Sequence, residues 1–250
     1  MGFKHFPPHT HQHLKFYVYT YRDPRDGSLF YVGKGKGNRA FSHLSDVSER
    51  RKAIRIKDIR QAGHEPIVEI LIHGLDDEEA AFQVEAAVID IFGTDVLTND
   101  VRGRSTRDYG VMSLGQIVSK YDAPAVTITD PVCLIRVSRN FRYGMSEQDL
   151  YDNTRGIWRV APARRNPQYA FAVYNKVIQE VYRIAGWFPA GSTFYANRPD
   201  MADRLLGPDV ERYEFVGSIA EESIRTRYRF KNVGNYLARN SQSPVLYVNC

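Results

Sequence analysis

Residues 16–43 have the sequence FYVYTYRDPRDGSLFYVGKGKGNRAFSH. The run 16–21 is aromatic and β-branched, and Leu29–Val32 has the same character, so both favour strands. The segment between them contains Pro24, which fixes φ, and Gly27, which tolerates a positive φ, so it predicts a turn. The stretch therefore predicts a β-hairpin. We expect a loop at the glycines of 33–37 and then a helix from about Asn38.

That helix would carry two polar side chains on one face, because Arg39 and His43 are four residues apart. Farther along, residues 50–60 favour a helix and residues 66–73 favour a third strand. A capping-box pattern at Asp76 then opens a longer helix, which Gly93 is expected to end.

Glu85 lies in this longer helix and shares its face with apolar residues, namely Ala81, Phe82, Val88, Ile89 and Phe92. The pattern predicts a carboxylate that faces the core. An ionised carboxylate in such a place is costly unless a cation or hydrogen bonds compensate it. Two readings remain open: Glu85 is a Mg²⁺ ligand, or it lies at the edge of the apolar stripe and reaches water.

The hairpin also presents a run of tyrosines, Tyr17, Tyr19, Tyr21 and Tyr31, which in strands most often serve packing. Lys34 and Lys36 alternate with glycines in a pattern that lacks the spacing of a Walker nucleotide loop. We expect this glycine loop to let a backbone phosphate approach closely.

Taken together, these residues resemble the signature of the GIY-YIG nucleases, and most closely its LEM-3-like branch. The two halves of the signature are Tyr17-Val18-Tyr19 and Tyr31-Val32-Gly33, and the resemblance covers residues 15–103. The chain departs from the usual pattern at Tyr17 and Val18, where the family generally has Gly and Ile. The positions that match the functional residues of the family are Tyr19, Tyr31, Arg39, His43, Glu85 and Asn99.

The resemblance implies a small α/β sandwich that hydrolyses phosphodiester bonds with one Mg²⁺ or Mn²⁺ ion per active site. Glu85 would hold the ion, and Arg39 would bind the phosphate through its planar guanidinium. Tyr19 would act as general base, with a pKa lowered by the metal, by Arg39 and by Lys34. Tyr31 and His43 would position the water or share the proton transfer, and the sequence leaves open which of the three is the base. Asn99 would support the loop at the metal site.

The composition bounds the remaining possibilities. With 43% hydrophobic and 25% charged residues, a chain of 250 residues fits two globular domains. It has no apolar run that could span a membrane and no pattern of a secretory signal. Two cysteines, Cys133 and Cys250, argue against a disulfide framework and favour a reducing cytoplasm.

The charge is uneven along the chain. Residues 1–110 contain 16 Lys/Arg and 16 Asp/Glu, whereas residues 111–250 contain 18 and 13, so the net charge of +5 arises in the second half. This excess suits a nucleic-acid partner. We expect a flexible leader at 1–14, a catalytic domain at 15–105, a linker at 106–123 and a second domain at 124–250.

Strand patterns dominate the second half, so the whole chain is expected to be α+β with a β-barrel as its second domain. The predicted strands are 125–129, 132–137, 169–174, 177–184, 213–216 and 245–248, with one Ser-capped helix from Ser146 to about Asn153. The layout weakly resembles PUA-like barrels of the EVE, YTH and ASCH kind, several of which recognise modified bases. On that reading, the residues that contact DNA or a base are Arg155, Trp158, Tyr182 and Trp187.

The sequence therefore predicts a metal-dependent DNA endonuclease, whose second domain selects DNA that carries modified cytosine, as in restriction or defence against phages. A structure-specific nuclease of DNA repair or recombination is the first alternative. The second is a DNA- or RNA-binding protein that does not cut. A homodimer is expected if both strands are cut, because each chain supplies one active site.

Overall fold

The computed structural model describes residues 5–45, 48–94, 96–99, 110–160, 165–195, 212–237 and 243–250. The chain divides into two compact units, Met1–Val111 and Met112–Cys250. Each unit combines helices with a β-sheet, which confirms the α+β class. None of the described helices combines the length and the apolar character needed to cross a membrane.

The first unit is built around a three-stranded antiparallel sheet in the order β2-β1-β3. Its elements are α1 (Pro8–Leu14), β1 (Phe16–Arg22), β2 (Leu29–Lys36), α2 (Arg39–Ser42), a 3₁₀ turn (His43–Ser45), α3 (Arg51–Gln61), β3 (Ile67–Leu75) and α4 (Glu78–Phe92). The predicted hairpin is confirmed as β1 and β2, and Gly27 in its turn has the expected positive φ of 73°.

The two faces of this sheet pack on different helices. The tyrosines of β1 lie on one face and pack against Ile56 and Ile59 of α3. Val18 and Val32 lie on the other face and pack against Ala81 and Ile89 of α4. Side chains alternate between the faces of a strand, so this arrangement follows from the alternation of Tyr with Val and Thr in β1. The result is the expected small α/β sandwich.

The glycine loop predicted at 33–37 is wrong, because β2 continues to Lys36. Tyr19 pairs with Gly33 and Tyr17 with Gly35 across the hairpin. A Cβ atom would lie 2.7 Å from Cζ of Tyr19 at the first glycine, and 2.8 Å from Cε2 of Tyr17 at the second. These glycines therefore leave room for tyrosine rings, rather than for a phosphate.

The flexible leader is also corrected, since residues 8–14 form helix α1. Leu14 is buried in the tyrosine cluster, and the Phe6 N–H donates to Oδ1 of Asn38 at 2.7 Å. Within the predicted linker, residues 106–109 lie outside the described part of the chain, and Leu114–Asp122 forms a helix with a complete capping box at Ser113.

The second unit contains a five-stranded sheet in the order β7-β6-β5-β4-β8. Its elements are α5 (Leu114–Asp122), β4 (Val132–Arg136), α6 (Glu147–Arg155), β5 (Tyr169–Tyr174), β6 (Val177–Pro189), β7 (Tyr213–Ile219), α7 (Glu222–Tyr228), a 3₁₀ turn (Gly234–Tyr236) and β8 (Val245–Val248). Strands β4 and β5 are parallel, and the other neighbours are antiparallel.

Several predictions for this unit are confirmed. Ser146 caps α6 by accepting the N–H of Asp149 at 3.0 Å, and Asn175 and Lys176 both have the positive φ of a tight hairpin turn. The strand predicted at 125–129 is absent, where only Ala125 forms an isolated bridge. In the described part of the chain the strands form an open sheet and no closed barrel is found, so the PUA-like fold is not confirmed.

Candidate active site

The outer edge of β2 is bonded by Thr98, Asn99 and Glu85 instead of another strand. The Phe30 carbonyl accepts the Thr98 N–H at 2.6 Å. Asn99 pairs with both backbone groups of Val32, accepting its N–H at 3.1 Å and donating to its carbonyl at 2.7 Å. The next outward-facing N–H, that of Lys34, donates to Oε1 of Glu85 at 3.1 Å. Unpaired backbone groups at a strand edge need such partners.

Glu85 is half-buried on α4, as its helical position predicted. Burial raises the pKa of this carboxyl group, and the backbone N–H of Lys34, the Lys34 charge and the Arg39 charge oppose that rise without cancelling it. In the described residues Glu85 forms no direct salt bridge. Its carboxylate is therefore held where the charged form is costly and a further cation would be stabilising.

A cleft of about 290 Å³ opens beside this edge, lined by Phe16, Lys34, Gly35, Lys36, Arg39 and Glu78. The Lys34 ammonium forms an ion pair with Glu78 and lies 3.8 Å from the centre of the Phe82 ring. By contrast, Arg39 makes no ion pair with any of the described residues. Of the three cations that line the cleft, Lys34 is paired with an acid, whereas Lys36 and Arg39 have no acidic partner among the described residues.

Tyr17 fixes the segment that carries Arg39. Its hydroxyl donates to the Gly37 carbonyl at 2.7 Å and accepts the Ala40 N–H at 3.1 Å, while the Tyr21 hydroxyl donates to the Ala40 carbonyl at 2.6 Å. These bonds replace a side-chain cap at the start of α2, which has none. Tyr17, which stands where the GIY-YIG signature generally has Gly, therefore positions the arginine.

Tyr19 is fully buried, and its hydroxyl has no hydrogen-bond partner of normal geometry in the described part of the chain. Burial raises its pKa far above the ordinary value of a tyrosine, and the nearby Tyr31 and Tyr21 raise it further. Arg39 lowers it, but by less. Among the residues of this structure, desolvation therefore outweighs the arginine. The lowering of the Tyr19 pKa expected from a bound metal stays a prediction.

The expected neighbours of Tyr19 lie together. The Tyr31 ring is 6.1 Å from the Tyr19 ring and 6.3 Å from the His43 ring. Nδ1 of His43 lies 2.9 Å from Nζ of Lys52. Nζ of Lys52 in turn lies 4.8 Å from the centre of the Tyr31 ring. A charged ammonium has no lone pair, so Lys52 donates and Nδ1 of His43 accepts.

Lys52 is the residue that sequence reasoning missed. Only 6% of it is exposed, although lysine is rarely buried without a role. In the sequence Lys52 lies in a basic stretch, where a lysine is expected to face solvent. Its position nine residues after His43 carried no recognisable signal.

A comparison with family models identifies the unit that holds these residues. Residues 27–118 match the model of the LEM-3-like GIY-YIG domain. The chain carries a GIY-YIG domain. No curated protein matches the chain, and no solved structure matches it.

The matched range contains most of the predicted site, with Arg39, His43, Glu85 and Asn99 among its residues. Tyr19 precedes the range and reaches the site through the pairing of β1 with β2. A GIY-YIG domain is a nuclease domain, so nucleic acid is its substrate class. The Arg39 charge opposes the rise in pKa at both Tyr19 and Glu85.

The residues of the GIY-YIG site fit a metal ion held by one protein ligand. Among the described residues no three His, Cys, Asp or Glu side chains come together as a metal-binding group. Glu85 is a single half-buried carboxylate whose pKa is raised by desolvation. That donor set suits Mg²⁺, which commonly takes one or two carboxylates and completes its shell with water and phosphate oxygens.

The structure brings three of the four predicted DNA-contact residues of the second unit into one cluster. Tyr182 is buried in it, and Trp158 and Trp187 pack against it from partly exposed positions. Nε1 of Trp158 donates to the Thr154 carbonyl at 2.7 Å. Trp187 lies 5.5 Å from the Phe215 ring and lines a cleft of about 410 Å³ together with Arg183 and others.

Arg155, the fourth, is not in this cluster and does not face solvent. It is 4% exposed, its Nε donates to Asp152 at 2.8 Å, and its guanidinium lies 3.6 Å from the centre of the Tyr195 ring. A buried and fully engaged guanidinium stabilises the fold here. The prediction that Arg155 contacts DNA is therefore not supported by its position.

Proposed function

We propose that this protein is a metal-dependent DNA endonuclease whose active site lies at the outer edge of β2. The observation that carries the proposal is the open cleft lined by Lys34 and Arg39, beside which the half-buried carboxylate of Glu85 accepts the Lys34 N–H. A phosphate group bound by Arg39 would lie between the acidic and the tyrosine parts of the site. The GIY-YIG match supports the reaction class.

Glu85 would hold the divalent ion, Mg²⁺ or Mn²⁺, one per active site. The ion would supply positive charge to stabilise the phosphate and the leaving oxygen. Arg39 would bind the phosphate through its guanidinium, which no described acid neutralises and which can contact two oxygens at once. Lys34 would contribute through its backbone N–H, which orients the carboxylate of Glu85.

Handling of the attacking water is assigned to Tyr19, Tyr31 and His43. With Lys52 charged, the imidazole of His43 is neutral and bears its proton on Nε2, so it can donate a hydrogen bond to a water or phosphate oxygen. Tyr19 is protonated at neutral pH in this structure, so an enzyme that uses it as base should need alkaline conditions or added positive charge nearby.

For the target, we propose DNA with modified cytosine, as in a restriction or anti-phage enzyme, with the second unit as reader. The cleft of about 410 Å³ lined by the partly exposed Trp187 supports this, because a base can stack on an indole. A PUA-like ancestry of the unit is part of this proposal. A reducing cytoplasm is the proposed setting, in keeping with two free cysteines.

A structure-specific nuclease of repair or recombination is the second candidate. The observation that favours it is the match to the LEM-3-like branch in particular, rather than to GIY-YIG domains in general.

The test is a cleavage assay with the full chain on four substrates of equal length. These are plain duplex DNA, the same duplex with methylated or hydroxymethylated cytosine, a four-way junction and single-stranded RNA. We expect cutting with Mg²⁺ or Mn²⁺ that stops with a chelator, and we expect the modified duplex to be cut at least tenfold faster than the plain one. Cutting of both strands in one encounter would support a homodimer.

Glu85→Ala is the decisive variant, and Glu79→Ala is its matched control, because Glu79 is an exposed glutamate on the same helix. We expect the first to bind DNA without cutting and the second to behave as wild type. Normal cutting by Glu85→Ala would exclude the metal assignment. Preference for the junction over the modified duplex would favour the second candidate, and absence of cutting on all four substrates would favour a binding protein.

A further inference from the structure

An exposed aromatic side chain lies on a loop of the second unit that is hydrogen-bonded to buried charged side chains. Phe194 is 88% exposed, and its own carbonyl accepts from the buried guanidinium of Arg155 at 2.5 Å. Arg155 also donates to the Thr193 hydroxyl. Arg155 therefore fixes the backbone that carries the exposed Phe194 ring.

A second buried group holds the same loop. Glu214 is fully buried on β7 and accepts the N–H groups of Gly191 at 3.1 Å and Thr193 at 2.8 Å. It also accepts the hydroxyl groups of Thr193 at 2.7 Å and Tyr195 at 2.8 Å. The loop is thereby fixed on both sides of Phe194 by four bonds to one carboxylate.

The strand register places two arginines on the face of the sheet over which this loop folds. Phe188 pairs with Glu214, and Trp158 pairs with Tyr213, which puts Arg159 opposite Arg212. Because side chains alternate along a strand, Arg159 and Arg212 share the face of Glu214. A small cluster of Ile157, Ala190 and Tyr195 packs on that same face.

These two arginines differ from most others in the unit. Arg142, Arg155, Arg183, Arg225, Arg227 and Arg229 each form an ion pair with an acidic residue. Within the described residues, Arg159 and Arg212 form none. Arg159 is exposed, and Phe188 nearby is 43% exposed. This face therefore carries Phe188 and two arginines that have no acidic partner among the described residues, and the loop that carries Phe194 folds over it.

We propose that this face, defined as Arg159, Phe188, Phe194 and Arg212, binds nucleic acid with an unstacked base. The arginines would contact backbone phosphates, and the Phe194 ring would stack on a base that is single-stranded or extruded from a duplex. The choice of partner class rests on the proposed nuclease function. The surface lies on the opposite face of β6 and β7 from Trp187, so it is separate from the proposed reader cleft.

The experiment measures binding of the full chain by fluorescence anisotropy, with a chelator present to prevent cutting. The probes are a 20-nucleotide single strand, the matching duplex and that duplex with a one-nucleotide gap. We expect Phe194→Ala to raise Kd about 5- to 100-fold for the single strand and the gapped duplex, the range for loss of one stacked base. Phe194→Trp should restore binding, and Tyr121→Ala, which removes another exposed ring of the same unit, should change nothing.

The arginines are tested by the salt dependence of Kd. The double change Arg159→Gln with Arg212→Gln should lower the slope of log Kd against log salt by about 1.4–1.8, since each phosphate contact contributes about 0.7–0.9. Arg139→Gln, at an exposed arginine elsewhere in the unit, is the control. Unchanged Kd values for Phe194→Ala, or an equal loss on the intact duplex, would overturn the proposal. If the nuclease assignment itself is wrong, the wild-type protein will not cleave DNA in the cleavage assay. That result is distinct from the binding results of these variants.

Discussion

Two buried or half-buried glutamates, one in each unit, are treated by the fold in opposite ways. Glu214 accepts four hydrogen bonds from Gly191, Thr193 and Tyr195, and so its carboxylate is saturated. Glu85 has a single hydrogen bond in the described structure, from the Lys34 N–H, and burial raises its pKa. Both carboxylates face a protein interior, yet only that of Glu214 receives a full set of hydrogen bonds there.

The difference separates structural from functional acids. A saturated carboxylate fixes the groups that donate to it, and in Glu214 that is the loop before and after Phe194. An under-satisfied carboxylate reduces stability unless a ligand completes its shell, which is how functional sites commonly depart from the rest of a fold. On this basis, substitution of Glu85 should affect activity, and substitution of Glu214 should affect stability.

The largest effect is expected for Glu85→Gln. The amide can still accept the Lys34 N–H but is a poor ligand for a divalent ion, so the cleavage rate should fall by a factor on the order of 100 or more. The melting temperature at pH 8 should stay the same or rise, because the half-buried charge is gone. Single-turnover cleavage and calorimetry on the same preparation measure both.

That prediction has a clear failure. If Glu85→Gln cleaves normally and melts at a lower temperature, Glu85 is a structural acid that closes the edge of β2. The contrast with Glu214 would then disappear.

The converse effect is expected for Glu214→Gln. An amide at this position turns one acceptor into a donor that faces other donors, which should lower the free energy of unfolding by about 1–3 kcal/mol. Chemical denaturation followed by fluorescence measures this. Cleavage of a substrate by the folded fraction should persist, and a drop of more than tenfold in that rate would contradict the division between the two acids.

The hairpin and the helix that carries Glu85 could be predicted from sequence, because each depends on local chemistry. Alternating aromatic and β-branched residues in 16–22 specify a strand, and the face of Glu85 follows from helical spacing alone. Arg39, His43 and Asn99 were found by their register with a known family. Their contacts were not predictable, since Asn99 meets Val32 across 67 residues of sequence.

The failures have a common physical cause. Gly33 and Gly35 predict a loop because the freedom of their backbone is visible in the sequence, whereas the tyrosine rings that require them lie on another strand. The sequence predicts a DNA contact for Arg155 because arginine is usually exposed. Its buried partner Tyr195 lies 40 residues away in the sequence and cannot be recognised there. Long-range packing reversed both readings. Lys52 was missed for the same reason.

A smaller effect tests the edge of β2 itself. Asn99→Ala removes both partners of the Val32 backbone, and we expect the free energy of unfolding to fall by about 1–2 kcal/mol, since water can replace part of the loss at a strand edge. The cleavage rate should fall less than in Glu85→Gln. Asn99→Asp keeps the acceptor and loses the donor, so it should lie between the two in stability. Equal stability of all three proteins would show that Asn99 does not hold this edge.

The smallest effect is expected in the pH dependence of stability, which should differ between wild type and Glu85→Gln. Burial raises the pKa of Glu85, so the folded state holds that proton more tightly than the unfolded chain does. The free energy of unfolding therefore falls as the pH rises above the ordinary value of a glutamate, about 4, and through the raised value. Glu85→Gln has no such proton. Its stability relative to wild type should be lowest near pH 4 and should grow toward pH 8. Denaturant titrations across that range would contradict the raised pKa if the curves of Glu85→Gln and wild type stayed parallel.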